Sequence, residues 1–225
     1  MSTLNDFRKQ IQGINENTFT DIALKVFRYQ ACNNPVYQRY LAFRQIDYRD
    51  VNRLTDIPFL PITFFRSHRL ITGNWKPAGF FESSGTTGRL SSFHYYPDYD
   101  FYVAHAMGNF RLFFGPASQY HFFALLPSYL ERRHSSLITM LHGLMKESRS
   151  GLGGFFLYNT DEMLNRMEQA RKRADRQLML WGVTFALLDL AEKHASRFAG
   201  LRNSGNRRHE GQEGRDYPRG APRPA

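Results

Sequence analysis

Ahead of Phe93 the chain sets six small residues in a row, Ser83-Ser84-Gly85-Thr86-Thr87-Gly88, followed by Arg89. Those residue types at that spacing suit an anion. Gly85 and Gly88 let the backbone adopt positive φ and come close to a ligand. Successive N–H groups in such a loop converge into an anion-binding nest. The hydroxyls of Ser83, Ser84, Thr86 and Thr87 add donors for phosphate oxygens, and Arg89 adds a fixed positive charge. A surface turn between two strands uses the same residues, so composition alone leaves both readings open.

Spacing excludes two nucleotide-binding patterns. A kinase- or GTPase-type phosphate loop needs Lys and then Ser or Thr after its second glycine, and here Arg89-Leu90 follows. The dinucleotide fingerprint needs three glycines at its own intervals, which Gly85 and Gly88 do not supply. Other chemistry-bearing residues are sparser. Ser128, Tyr129, Ser135 and Ser136 follow an apolar run and stand either at the edge of a site or in a strand-end turn, with Ser135 capping a helix. His94, His105, His121 and His134 show no metal-ligand spacing. Cys32, the single cysteine, has no helper residue near it in "YQACNNPVY" and reads as a buried bystander rather than a nucleophile.

The elements that must position these groups follow from periodicity. Leu4, Phe7, Ile11 and Ile14, then Phe19, Ile22, Ala23, Val26 and Phe27, predict two helices, with Asn17 or Thr18 capping the second. A short third helix follows Pro35, with Tyr37, Tyr40, Leu41 and Phe43 on one side. Pro58 and Pro61 forbid a regular helix over Ile57–Ile71, which predicts an extended segment turning into a short strand. Pro97–Phe114 predicts a helix with Tyr99, Tyr102, Val103, Ala106, Phe110 and Phe113 as its apolar face. Three apolar runs then alternate with helical patterns. "HFFALLP" (121–127), "GGFFLYN" (153–159) and "RQLMLWG" (176–182) read as strands. Ser135–Lys146, a stretch capped by Thr160 or Asp161 and running to Arg173, and 183–195 read as helices. Short connections make the strands parallel. The expectation is an α/β chain: a helical segment over 1–56, an incomplete sheet domain with helices on both faces over 57–201, and a basic Arg/Gly/Pro tail over 202–225. In such sheets ligands bind beyond the carboxyl ends of the strands.

Composition narrows the class. Twenty Phe and 12 Tyr support a packed core, and one cysteine excludes a disulfide framework or a multi-cysteine zinc site. The N-terminal stretch lacks the apolar segment of a signal peptide, and no run approaches about 18 apolar residues, so no membrane span and a cytoplasmic location are expected. The formal net charge is +10, which raises nucleic acid as a partner. Six arginines against Glu210, Glu213 and Asp216 concentrate part of that charge in the tail. The aromatics fall at core spacing rather than among basic residues, which argues against nucleic-acid binding.

"SSGTTGRLS" resembles the S-G-T-T-G signature of adenylate-forming enzymes. "IPFLPITFFRSHRLI", "FFESSGTTGRLSSF", "LLPSYLERRHSSLITML" and "LWGVTFALLDLAEKH" together resemble the LuxE-type acyl-protein synthetases, which are long-chain fatty-acid ligases, over about residues 5–200. The resemblance implies the fold of the N-terminal part of adenylate-forming enzymes, with ATP and Mg²⁺ as cofactors. A fatty or other carboxylic acid would be activated as the acyl-adenylate and passed to a thiol acceptor, a protein or CoA, in company with an acyl reductase. Ser83, Ser84, Gly85, Thr86, Thr87 and Gly88 would cradle the β- and γ-phosphates. Arg89 stands where relatives of the acyl-CoA ligase type carry a nearby lysine. Gly182 resembles the turn bordering the acyl pocket; a plain strand-to-helix turn accounts for it equally.

From Arg202 the texture changes to "RNSGNRRHEGQEGRDYPRGAPRPA". Read one nucleotide out of frame, Arg202–Glu213 can encode V-I-L-E-T-G-G-M-K-G-R, which is similar to a later segment of the same family. The tail is therefore expected to be an out-of-frame product, and this chain an incomplete, catalytically impaired form. Two alternatives stand beside the ligase: a non-catalytic binding or scaffold protein on the same fold, and a nucleic-acid binder acting through the tail.

Overall fold

The computed structural model describes residues 4–83, 91–126 and 132–194. The chain divides into two compact units, Met1–Val183 and Thr184–Ala225. Three helices open the first: α1 (Leu4–Gln12), α2 (Glu16–Asn33) and α3 (Pro35–Phe43). Asn15, two residues earlier than the sequence suggested, caps α2. Its side chain accepts from Asn17 N and Thr18 N at 3.0 and 3.2 Å, while Thr18 Oγ1 accepts from Asn15 N at 3.1 Å. This reciprocal box satisfies donors that the first turn leaves open. Asn34 repeats the device for α3, accepting from Val36 N and Tyr37 N with Pro35 at the first helical position.

Leu24, Phe27, Ala31, Tyr37, Leu41 and Val51 form the core of this helical front. Two expectations fail here for one geometric reason. Phe43 is 86 % exposed, because six residues on from Tyr37 turn it about 240° around the helix. Cys32 is exposed rather than buried, one step of about 100° beyond buried Ala31. No strand forms over Ile57–Ile71. A 3-10 turn (Leu54–Asp56) precedes the stretch, and a one-turn helix α4 (Phe64–Ser67) stands within it instead. Pro61 lacks a donor but its carbonyl accepts from Phe64 N at 3.0 Å, so it starts a helical turn where it would have broken a ladder.

Strands β1 (Gly79–Glu82) and β2 (Phe93–Tyr96) pair antiparallel, with Glu82 opposite Phe93. Helix α5 (Tyr99–Phe114) starts after Asp98, whose carboxylate accepts from Phe101 N, and ends at Gly115 with φ 78°. Of its expected apolar face Phe110 is buried, whereas Phe113 is exposed with Leu112.

The parallel sheet has the order β4-β3-β5. β3 (Tyr120–Leu125) is buried at every position, and β5 (Gln177–Gly182) pairs with it along its whole length. β4 is only Gly154–Phe155, although Phe156 N still donates to Ala124 O. Gly153 leads into it because a Cβ there would lie 2.5 Å from Phe122 O. Helices α6 (Ser136–Ser148) and α7 (Thr160–Arg173) make the two crossovers. Asn159 precedes α7 without a side-chain cap, and Thr160 and Asp161 are its first residues.

Alternation along β3 sorts the layers. Tyr120, Phe122, Ala124 and Leu126 pack with Phe110 of α5 and with Leu141 and Leu144 of α6. On the other face Phe123 stacks on Phe156, whose ring lies 5.6 Å from the Arg166 guanidinium of α7. The chain is thus α/β, with helices against both faces of a small parallel sheet. The second unit contributes α8 (Thr184–Lys193). Among the described residues no helix is long and apolar enough to cross a membrane.

Candidate functional site

Of the small-residue loop, Ser84, Gly85, Thr86, Thr87, Gly88 and Arg89 lie outside the described residues, and Ser83 inside them. The flanks are clear. The segment connects β1 to β2, and a serine pair closes its base. Ser83 N donates to Ser92 O at 3.0 Å, and Ser92 N and Oγ donate to Ser83 Oγ at 3.0 and 2.8 Å. Both acceptor positions of the Ser83 hydroxyl are therefore engaged, and its proton remains to be donated. Ser83 fastens the two ends of the loop together.

The hairpin is tied to the carboxyl side of the parallel sheet. Glu82 N donates to His134 O at 2.8 Å, and the His134 ring stacks on Phe80 at 4.3 Å and 11°. His134 leads directly into α6. Ser135 caps that helix, accepting from Ile138 N, and Ser136 is its first residue. The Ser136 carbonyl accepts from the Tyr102 hydroxyl at 3.2 Å, and Tyr102 packs on Phe81 of β1 at 4.4 Å. Burial pushes the Tyr102 hydroxyl pKa up, so the group stays a donor. The base of the loop and the amino terminus of α6 thus share one edge, where the helix dipole favours negative charge. Ser128 and Tyr129 lie outside the described residues.

Gly182 stands at the end of β5, in register with Leu125 of β3. Its neighbour Trp181 packs against the α5–α6 side of the sheet. The Trp181 indole N–H is buried and has no acceptor among the described residues. A buried donor without a partner costs free energy, and this one sits on the strand end where α/β sheets receive ligands. No group of three or more metal-capable side chains occurs among the described residues. A magnesium ion here fits only in the form that ion favours beside nucleotides, held largely by phosphate oxygens and water.

Two features escaped the sequence reading. A cavity of about 780 Å³ opens in the helical front, lined among others by Phe19, Ala23, Val26, Leu60, Phe65 and Leu70, with His94 and Tyr95 of β2 closing one wall. Its residues come from separate segments, each with a local role that hides the shared one. The second is buried His121, with Nδ1 2.5 Å from Ser150 Oγ and Nε2 3.1 Å from Asp175 Oδ1. The Asp175 carboxylate can only accept, so Nε2 carries a proton, and Ser150 donates to Nδ1 of the neutral ring. The order Ser–His–Asp suggests a nucleophile. However, Ser150 Oγ already accepts from Leu152 N and Gly153 N, and the group lies at the amino end of β3. It ties together the segments that lead into β3, β4 and β5, on the far side from the loop.

No protein-family model, curated protein or solved structure matches the chain.

Proposed function

We propose that this chain belongs to an ATP-dependent ligase that activates a carboxylic acid as its acyl-adenylate for transfer to a thiol acceptor, as its resemblance to LuxE-type acyl-protein synthetases implies. One observation carries most of the weight. The Ser/Thr/Gly segment is a hairpin connection fastened by Ser83 and Ser92 and tethered through Glu82 and His134 to the start of α6, at the carboxyl edge of a parallel sheet. A mere surface turn needs no such tether.

ATP would supply the adenylyl group and the pyrophosphate leaving group. The chain's part is to fix the charge that develops as the leaving group departs. Ser84–Gly88 would offer backbone N–H groups and hydroxyls to the β- and γ-phosphates, with Arg89 as the cation. The Ser83 hydroxyl and the amino terminus of α6 lie on the same edge. Trp181 offers a desolvated donor on the acyl or nucleoside side of Gly182.

Nucleotide binding is the direct readout of the loop. Titration with MgATP should give saturable binding, and Gly88→Val should weaken it by about tenfold or more, since a side chain there crowds the phosphates and forbids positive φ. Absence of MgATP binding by a folded chain would remove this reading. It would favour a non-catalytic partner-binding protein, for which exposed Leu112 and Phe113 at the end of α5 offer a surface.

A further inference from the structure

The parallel topology gathers the ends of three helices on the edge opposite the loop. Helices α5 and α6 run side by side in the same direction. The Tyr102 hydroxyl reaches Ser136 O, Val103 and Met107 lie against Gly143, and Arg111 Nη2 donates to Glu147 Oε1 at 2.9 Å. Both therefore end where β3 begins, and the Tyr120 hydroxyl of β3 donates to Phe114 O at 2.6 Å. Helix α7 ends at Arg173, and Asp175 joins His121 on the same edge. Arg176 Nη1 closes the row by donating to Ser148 O at 2.6 Å.

This edge carries an apolar tip and spare positive charge. Leu112 and Phe113 are 80 % and 82 % exposed, and Phe114 48 %, on the last turn of α5. A contiguous apolar surface of this kind marks an interaction site. The carboxylates of the edge are all taken: Glu147 by Arg111, Glu168 by Arg171 and Lys172, and Asp175 by His121 and Arg176. Lys146, Arg149 and Arg173 are exposed and have no ion-pair partner among the described residues. Helix carboxyl ends favour cations, which accounts for Lys146 and Arg173. It does not account for Arg149. Its φ of 53° is left-handed, where glycine is the ordinary choice, so a charged side chain is kept there against backbone strain.

We propose that this edge docks on an anionic membrane surface. Leu112 and Phe113 enter the bilayer interface, while Lys146, Arg149 and Arg173 meet the lipid phosphates. Apolar tip and free cations ask for different surroundings, and an anionic bilayer supplies both at once. Nucleic acid would use the cations and leave the tip against water. A rigid protein partner rewards charges held in fixed geometry, as Arg111 and Arg176 are, whereas lipid headgroups move to meet long unpaired side chains. The contact rests on neither MgATP binding nor acyl activation.

Sedimentation of the full chain with phosphatidylcholine vesicles, with and without phosphatidylglycerol, tests this. Binding should require phosphatidylglycerol and weaken as salt is raised. Leu112→Ser together with Phe113→Ser, at exposed positions, should weaken it by about tenfold or more. Arg149→Gly should weaken it by about fivefold, the worth of one cation near an anionic surface. The unfolding temperature of that variant should hold or rise, because glycine relieves the strain at φ 53°. Loss of binding without loss of stability separates the contact from the fold. A folded chain that does not sediment with anionic vesicles overturns the proposal, and so does equal binding to phosphatidylcholine alone. Anionic-vesicle binding that survives all three substitutions belongs to the basic 202–225 segment and overturns it too. Self-association that the double serine variant abolishes, without vesicle binding, assigns the tip to a second copy of the chain instead.

Discussion

The two hydrophobic cores of the first unit are built to different tolerances. Around β3, Phe122, Phe123, Leu141 and Leu144 are fully buried, and the rings of Phe110, Tyr120 and Phe122 lie 5.6 to 5.7 Å apart. In the helical front, Leu24, Phe27 and Leu41 make a buried centre, yet a chamber of about 780 Å³ stands open beside Phe27 and Tyr37. A packed sheet core resists deformation and holds a loop in place. A core that leaves apolar walls uncovered forgoes packing there, and the cost is recovered only when something enters. The comparison separates a close-packed scaffold from an open front within one unit.

The largest expected effect breaks the comparison if it fails. Phe122→Ala should destabilise the chain by about 3–5 kcal/mol, because its surroundings cannot collapse into the space. Phe59→Ala, on the rim of the chamber, should fall within about 0.5 kcal/mol of the parent. Chemical denaturation of both variants measures the contrast. Similar losses at the two sites would mean that the front is as tightly assembled as the sheet.

Glycines sharpen the same contrast at smaller scale. A methyl on Gly153 would meet the Phe122 carbonyl oxygen at 2.5 Å, whereas one on Gly13, between α1 and α2, would meet nothing within 4 Å. Gly153→Ala should cost about 1–3 kcal/mol as backbone is pushed from backbone. Gly13→Ala should gain about 0.4–1 kcal/mol by restricting the unfolded chain. Thermal unfolding should move in opposite directions for the two.

The packed region was the more legible of the two in sequence. The run from His121 to Leu126 announces a buried strand because a parallel strand covered on both faces has no polar side to show. Ser135 announces a cap because a side-chain acceptor is needed where α6 leaves donors open. The loop was legible as chemistry, since Ser, Thr and Gly have few other reasons to cluster between aromatics. The chamber was not, because Phe19, Leu60, Phe65 and Tyr95 each satisfy a local rule and meet only through tertiary packing. The same holds for His121: nothing in its own apolar strand marks Ser150 and Asp175 as partners. Pro58 and Pro61 misled for a different reason. Proline excludes a helix interior and a central strand alike, and the chain resolved the choice with single turns.

The smallest expected effect concerns acid, and it falls in two pH windows. Near the sheet, the hydrogen bond from His121, aided by the neighbouring Arg176 guanidinium, holds the Asp175 carboxyl below the usual range. Unfolding releases that group to an ordinary pKa near 3.9, so the unfolded chain takes up a proton first as pH falls. Stability from Asp175 is complete above that value and is lost as pH drops through the folded pKa. Asp47, held at about 2 by Arg49, and Asp56, paired with Arg53, belong to the helical front and add slopes of the same sign in the same window. On β2, desolvation lowers the His94 pKa although much of the side chain's surface is exposed, so its unfolded form binds a proton from about pH 6.5 downward more readily than the folded form. That contribution is present above pH 6.5 and begins to be lost at milder acidity than the carboxylates require. Denaturation midpoints measured from pH 7.5 to 3.5 should therefore show two separate declines. His94→Gln should flatten the upper one and leave the lower. Asp175→Asn should shrink the lower one and leave the upper, with Asp47 and Asp56 supplying what remains. If His94→Gln left the upper decline intact, the wall of the chamber would be wetter than its side chains suggest, and the difference between the two cores would narrow accordingly.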